Sequence, residues 1–302
     1  MSVPVAGCVV GVDLGGTHLR AVIAPPKGSF DPSATQLRVE TPRSLDAFVE
    51  CVAGVIDRAG GARVVTAIGV GIPGLVEGAV SRWVPNLPFL DGVDLTGLWP
   101  VATVAANDAQ LSLLAESTTG AVAGQASAIL LALGTGIGSA VLAEGRIVRG
   151  SSGGACSFGW ACADQSDPGS DRHGWLERHA SGSALDALAD KLATGSIGTD
   201  LVAAARRNEP SALAAVQQAG AALGVALAGA VALLDPAAVV VSGGVTAAWD
   251  VLSMPVEVAM RRHLPPHLRA VPVVVGTHGA AAGIIGAVEA ARRQPQWWEL
   301  RR

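Results

Sequence analysis

The sequence has no tyrosine, four phenylalanines and seven tryptophans, so aromatic residues make up only 4% of its 302 positions. Large rings are too few to carry a core. Packing must rest on Val, Leu, Ile and Ala, with close backbone contacts made possible by 38 glycines. Lysine is nearly absent (Lys27 and Lys191), and the formal net charge is −4. Without clustered Lys and Arg to neutralise phosphates, nucleic acid is excluded as a default partner. Charged residues reach only 15% against 50% hydrophobic ones, which excludes a disordered chain. At about 150 residues per domain the length suggests two domains. The four cysteines, Cys8, Cys51, Cys156 and Cys162, are too sparse for a disulfide framework and fit a reducing compartment. The first residues carry neither a basic region nor a cleavage site, so no signal peptide is expected. The longest apolar run, Ala219 to Leu234, is shorter than the roughly 20 residues that span a bilayer. It predicts a buried helix. The expectation is a soluble, cytoplasmic protein with no membrane partner.

What is present is a set of short apolar strands ending in glycine turns. Val9–Val12 leads into Asp13-Leu14-Gly15-Gly16-Thr17, and Leu19–Ala24 is apolar again, which predicts a β-hairpin with acidic and hydroxyl groups at its tip. Leu45–Ala59 has helical spacing, and Val64–Ile72 is a buried strand stopped by Pro73-Gly74. Val101–Ala105 is another strand. Asn107-Asp108 opens a helix over Ala109–Glu116, with Asp108 as its N-cap in the plain structural reading. Ala128–Leu133, the turn Gly134-Thr135-Gly136-Ile137-Gly138, and Ser139–Ala143 repeat the N-terminal pattern about 120 residues later, which predicts a duplicated architecture. Residues 150–174 predict an irregular loop. Helices are expected over 174–193, 210–234 and 281–292, and the strand Val239–Val241 ends at Ser242-Gly243-Gly244. No low-complexity linker separates the halves, which predicts two tightly joined domains with a cleft between them.

These turns carry the candidate chemistry. Glycines at 15, 16, 134, 136, 243 and 244 let backbone N–H groups approach phosphate oxygens because no Cβ intervenes. The hydroxyls of Thr17 and Thr135 stand at the first two turns. Asp13 could hold Mg²⁺, directly or through water. Gly134–Gly138 fails as a Rossmann fingerprint, because a strand rather than a helix follows. A carboxylate at Asp108, at the start of a helix, is placed to act as general base for an alcohol attacking a phosphoryl group.

With these motifs the chain resembles the ROK sugar kinases, within the actin/hexokinase/Hsp70-like ATPase superfamily. The resemblance rests on Asp13-Leu14-Gly15-Gly16-Thr17-His18-Leu19-Arg20-Ala21, Gly69-Val70-Gly71-Ile72-Pro73-Gly74, Pro85-Asn86-Leu87, Asn107-Asp108-Ala109 and Leu133–Gly138. It continues through Gly145-Arg146, Gly150, Leu176-Glu177, Ala180-Ser181-Gly182 and Ser242-Gly243-Gly244-Val245. It implies an α/β, two-domain actin-like (ribonuclease H-like) fold with a central interdomain cleft. The expected domains are 1–107, joined by the C-terminal helix at about 287–302, and 108–286. It implies ATP and Mg²⁺ as cofactors, phosphorylation of a hexose O6, Asp108 as catalytic base, and Gly74, Asn86, Asn107, Asp108 and Glu177 around the sugar. A homodimer is expected.

The pattern breaks at one edge of that site. The family's GEIGH-like stretch falls on Cys156-Ser157-Phe158-Gly159-Trp160, so a sugar-binding Glu becomes Ser157 and a sugar- and zinc-binding His becomes Trp160. The family's three zinc cysteines align with Pro168, Ser170 and Trp175, so no structural zinc is expected. Trp160 and Trp175 are expected to pack together in its place. Ser157 and Trp160 remain substrate-facing candidates. With Glu177 retained, a modified or amino hexose such as kanosamine becomes the favoured acceptor, because unpaired polar groups in a site discriminate strongly. The alternatives are an ordinary glucokinase without zinc, using ATP or polyphosphate, and a non-catalytic sugar-binding regulator. Family members that act as transcription factors carry an N-terminal DNA-binding module, for which a strand starting near Val9 leaves no room. His18 predicts a hairpin hydrogen bond, Trp297-Trp298 packing or a subunit contact, and Arg292, Arg293, Arg301 and Arg302 a solvated basic tail.

Overall fold

A computed structural model describes residues 7–297, apart from 35 and 63. The N-terminal part runs β1 (Cys8–Leu14), β2 (His18–Ala24), β3 (Leu37–Glu40), α1 (Leu45–Arg58), β4 (Val65–Ile72), β5 (Leu75–Glu77), β6 (Val80–Trp83), β7 (Ala102–Asn107) and α2 (Asp108–Thr119). It continues with β8 (Ala128–Leu133), β9 (Ile137–Ala143), β10 (Arg146–Ile147), α3 (Trp175–Ala180), α4 (Gly182–Lys191), α5 (Gly198–Arg206), α6 (Pro210–Leu234), β11 (Val239–Ser242), α7 (Trp249–Arg262), β12 (Val273–Val275) and α8 (Ala282–Arg293).

The predicted N-terminal hairpin is present: β1 and β2 pair antiparallel from Val9 opposite Ala24 to Leu14 opposite Leu19. One five-stranded sheet has the order β3-β2-β1-β4-β7 and the other β10-β9-β8-β11-β12. Each places its own third, second, first, fourth and fifth strand side by side, so the duplication expected from the repeated glycine turns is a duplication of topology. In both sheets the last three strands run parallel, which requires long crossover connections: α1 lies before β4, β5 and β6 before β7, α3–α6 before β11 and α7 before β12.

The chain divides into two compact units. The first is built from the chain up to Gly124, Ala140–Cys156 and the chain from Thr277 onward, and the second from Gln125–Ser139 and Ser157–Gly276. This differs from the expected boundary at 107/108, because α2 belongs to the first unit. It lies there against α8, where a Cβ on Gly286 would stand 1.9 Å from the Leu111 carbonyl oxygen. The same helix rests on β4, where a Cβ on Gly69 would stand 1.9 Å from the Ala287 oxygen. Glycine at these two positions lets helix backbone touch helix and sheet, the small-residue packing that the composition predicts. The rest of the first core is aliphatic, from Val10, Val12, Leu14, Leu19, Ile68, Val70 and Ile72, with Phe48 edge-on to Trp99.

In the second unit α6 spans Pro210–Leu234, the 25 residues expected as a helix. Among the described residues it is the helix long and apolar enough to cross a membrane by length and composition. One face is buried through Val216, Leu223, Leu227 and Val231, whereas Leu233 at its end is 83% exposed. The helix expected over 174–193 is broken at Ser181, whose side chain caps α4 by accepting from the Ala184 N–H at 3.2 Å. Trp297 is buried within the first unit, with the Arg149 guanidinium over its ring at 5.9 Å. Trp298, Arg301 and Arg302 lie outside the described residues.

Candidate active site

Asn107 and Asp108 stand where β7 passes into α2. The N-cap is Asn107 rather than Asp108. Its Oδ1 accepts from the Ala109 N–H at 2.9 Å, and Gln110 closes the capping box. Asn107 Nδ2 also donates to the Gly74 carbonyl at 3.1 Å, which ties the end of β7 to the turn after β4. Gly74 is obligatory there, because a Cβ would stand 2.4 Å from the Trp83 oxygen. With Asn107 capping, Asp108 occupies the first helical position, and its Oδ1 accepts from the Ala109 N–H at 2.8 Å. Desolvation raises its carboxyl from 3.8 to about 6, with the nearby Asp13 charge adding to the rise. A carboxylate with that value is an effective base near neutral pH. Asn86 is exposed on the segment after β6, which the Asp91 carboxylate holds by accepting from the Val84 N–H at 2.7 Å.

At the N-terminal hairpin the turn closes by Gly15 N–H donating to the His18 carbonyl at 2.9 Å, and the Thr41 hydroxyl donates to the Gly15 carbonyl at 2.6 Å. Gly16 and Thr17 are exposed at the tip, and His18 Nδ1 lies 3.2 Å from Thr17 Oγ1, the expected hairpin bond. Asp13 forms an ion pair through Oδ2 with Arg20, a partner sequence reasoning did not assign to it. Arg20 also donates to the Ala280 carbonyl at 2.8 Å. That ion pair engages Oδ2 of Asp13. Oδ1 stands clear of the pair, and Asp108 lies nearby. These hard oxygen donors fit a magnesium ion held through water, which keeps most of its own ligands.

The other two glycine turns line one cavity of about 430 Å³ in the second unit, through Gly134, Thr135 and Gly244. That is within the range of small-molecule sites. The start of α4 fixes the first turn: Gly182 N–H donates to the Gly134 carbonyl at 2.7 Å, and Ser183 Oγ donates to the Thr135 carbonyl at 2.8 Å. Gly243 has φ +88°, and a Cβ there would stand 2.4 Å from the Leu133 oxygen, so only glycine serves. The opposite wall is α5, with Thr199, Val202 and Arg206, which sequence reasoning missed. Its signal was the Gly195-Ser196-Ile197-Gly198 turn followed by apolar residues at helical spacing. Arg206 braces the wall by donating to the Ala247 carbonyl at 2.8 Å and to both Asp250 oxygens. A mostly apolar cavity with exposed glycine backbone fits a nucleotide.

Glu177 lies in the same unit, on the first turn of α3. Its carboxylate is held between Gly136 and Gly159: Cβ atoms there would stand 2.2 Å from Oε1 and 3.6 Å from Oε2. Gly136 thus touches Glu177 and does not line the cavity. Ser157 and Trp160 lie on the short turn before α3. Ser157 is exposed, its carbonyl accepting from the Trp160 N–H at 3.0 Å. Trp160 is 43% exposed, and its backbone lies against Gly174. The expected Trp160–Trp175 pair is replaced: Trp175 stacks on His179 with ring centroids 4.4 Å apart.

The positions aligned with zinc ligands, Trp160, Pro168, Ser170 and Trp175, offer no donor of the kind zinc requires. Among the described residues no three His, Cys, Asp or Glu side chains gather as a metal site. Burial raises the Cys156 thiol, while Cys162 Sγ donates to the Asp164 carbonyl at 3.1 Å. Metal analysis of protein purified without chelator is expected to find well under one zinc per chain. A stoichiometric zinc lost on Cys162→Ala would overturn this.

Comparison with known proteins identifies the family of the chain. The ROK family model matches residues 9–294. A glucokinase of Streptomyces coelicolor is 29% identical over 95% of this chain and 98% of its own. An N-acetyl-D-glucosamine kinase of Photobacterium profundum is 25% identical over 92% and 97%. Among solved structures, a ROK family glucokinase from Streptomyces griseus in complex with glucose and AMPPNP aligns with a TM-score of 0.74 and 26% identity, over 95% of this chain and all of that one. The chain belongs to the ROK family, with the actin- and hexokinase-like ATPase fold of its sugar kinases.

Proposed function

We propose that this ATP-dependent sugar kinase phosphorylates the primary 6-hydroxyl of a hexose altered at C2 or C3, an amino hexose such as kanosamine being the favoured acceptor. The observation that carries the transfer is Asp108, partly buried beside Asp13 at the start of α2 and pushed up to about 6. At neutral pH it is ionised, yet basic enough to take the hydroxyl proton as the oxygen attacks the γ-phosphorus and ADP leaves. Asn107 fixes the turn that presents Asp108 and retains hydrogen-bonding capacity toward the sugar. Magnesium, carried with ATP and held at Asp13 through water, would neutralise phosphate charge.

The substrate assignment rests on Ser157, Trp160 and Glu177 in the second unit. Trp160 offers an exposed ring and a single donor, and Ser157 a short hydroxyl, while Glu177 keeps an anionic acceptor. A carboxylate acceptor favours an ammonium group over a hydroxyl, because a charge-assisted hydrogen bond is stronger than a neutral one. The cavity beside Gly134 and Gly244 supports ATP over polyphosphate, because an apolar recess serves a nucleoside and not a phosphate chain. The relatives named as glucokinases favour a second reading, in which glucose itself is the acceptor. A coupled ADP-release screen over glucose, glucosamine, N-acetylglucosamine and kanosamine decides between them. An amino hexose is expected to have the highest kcat/KM. Glucose in first place would establish the second reading, and no ADP release with any sugar would remove the kinase assignment.

A further inference from the structure

Residues 162–173 form a loop with almost no burial. Eleven of its twelve residues are exposed, and only Asp167 is partly covered. Most of its hydrogen bonds are local: Asp164 accepts from the Ser166 N–H at 2.8 Å, Asp167 from the Gly169 N–H at 2.8 Å, and Ser170 Oγ from the His173 N–H at 3.3 Å. Such turns shape a loop but do not attach it to anything. The attachment comes from Arg178 on α3. Its NH2 group donates to both Asp167 oxygens, at 2.8 and 3.0 Å, and its Nε donates to the His173 carbonyl at 3.3 Å. The Asp167 side chain is 10% exposed and that of Arg178 32%. The pair holds the Asp167 carboxyl below the usual carboxylate range.

The helix that Arg178 belongs to has six residues, too short to be rigid by itself. Its start is stitched to the Ser157–Trp160 turn. Leu176 N–H donates to the Ala161 carbonyl at 3.2 Å, and a Cβ on Gly174 would stand 2.1 Å from the Gly159 oxygen. Glu177, next to Arg178, is seated between Gly136 and Gly159. Glu177, Trp160 and Ser157 thus share one small polar body. Its outer segment is fastened by an ion pair, and among the described residues no three metal-ligating side chains gather there.

We propose that the Asp167–Arg178 pair is a positioning device for sugar recognition. It clamps the 162–173 loop to α3 and so sets the Glu177 carboxylate and the Trp160 turn against the acceptor. This rests on the placement of Glu177 at the sugar. A partly exposed pair is screened by salt, which a metal clip or a buried core is not. Sugar affinity should therefore fall as ionic strength rises.

The test uses glucosamine as acceptor, with KM and kcat measured for the wild type, Asp167→Asn, Arg178→Gln, and the exchange Asp167→Arg with Arg178→Asp. Each single variant is expected to raise the sugar KM by about tenfold, while kcat and the KM for ATP stay within about twofold. The exchange is expected to recover most of the loss. Salt at 0.5 M, about threefold shorter in screening length than a dilute buffer, should raise the wild-type sugar KM but leave the single variants nearly unchanged. Single variants with unchanged sugar KM, or with the two KM values raised alike, would overturn the proposal, as would a lower Tm as their only effect. Glu177→Gln is the control. If it leaves the sugar KM unchanged, the placement of Glu177 fails. If it raises KM while the pair variants do not, the placement stands and the clamp fails.

Discussion

Asp108→Asn is expected to lower kcat by at least roughly 10²-fold and, at pH 8, to raise Tm. The loss of rate follows from general-base contributions of about 10²–10⁴. The gain in stability follows from the same carboxyl. Burial beside Asp13 raises it from 3.8 to about 6, so the folded protein binds this proton more tightly than the unfolded chain does. Stability from the neutral carboxyl is fully present below 3.8, declines as pH rises, and is lost above about 6. At pH 8 the native state carries an ionised group in a poor environment, a cost of ~2 kcal/mol once partial exposure is allowed for. Asparagine removes the charge and keeps an acceptor for the Ala109 N–H. Thermal denaturation from pH 4 to 8 should show the Tm gap between variant and wild type opening with pH. The wild-type kcat/KM should rise through an inflection near 6. Near wild-type turnover in the variant would remove Asp108 from the mechanism.

Glu177→Gln should separate amino sugars from glucose. A charge-assisted hydrogen bond to an ammonium is about twice as strong as a neutral one, and losing it in a site of low dielectric costs about 1.5–3 kcal/mol. The variant is therefore expected to lower kcat/KM for glucosamine or kanosamine on the order of 10²-fold, and for glucose about tenfold or less. Gln fits the same space between Gly136 and Gly159, so the fold should be retained. Kinetics on both sugars with both proteins measures this directly. Equal losses on the two sugars would show that Glu177 reads a hydroxyl, and the enzyme would then be a glucokinase whose zinc ligands have been replaced.

Both predictions combine groups of different legibility. Asp13, Asp108 and the glycine turns could be placed from their neighbours, because a glycine turn between two apolar runs is a local event with few outcomes. The N-cap falls one residue before the expected Asp108, since Asn107 and Asp108 are equally good caps and only the Gly74 carbonyl and Gln110 decide between them. The Asp13–Arg20 pair follows from antiparallel register, which puts residues 13 and 20 opposite each other. The Trp160–Trp175 pair failed for another reason. The backbone of Trp160 is taken up by Gly174, which leaves its ring partly exposed, and Trp175 finds His179 one turn along its own helix.

The sequence by itself determined the strand–turn–strand units, their duplication, the family and the missing zinc ligands, all of which are carried by short motifs that can be read one at a time along the chain. Tertiary structure decided what depends on residues far apart. α2 joins the first unit because Gly286, more than 170 positions away, admits the Leu111 backbone. The cavity beside Gly134 and Gly244 exists because α5 supplies its other wall. Asp108 becomes a base near 6 because desolvation and a second carboxylate, 95 positions earlier, act on it together. Local sequence sets which conformations and donors are available. Burial and electrostatic coupling fall off with distance in space, so only the folded chain decides which of those donors meet and at what pKa.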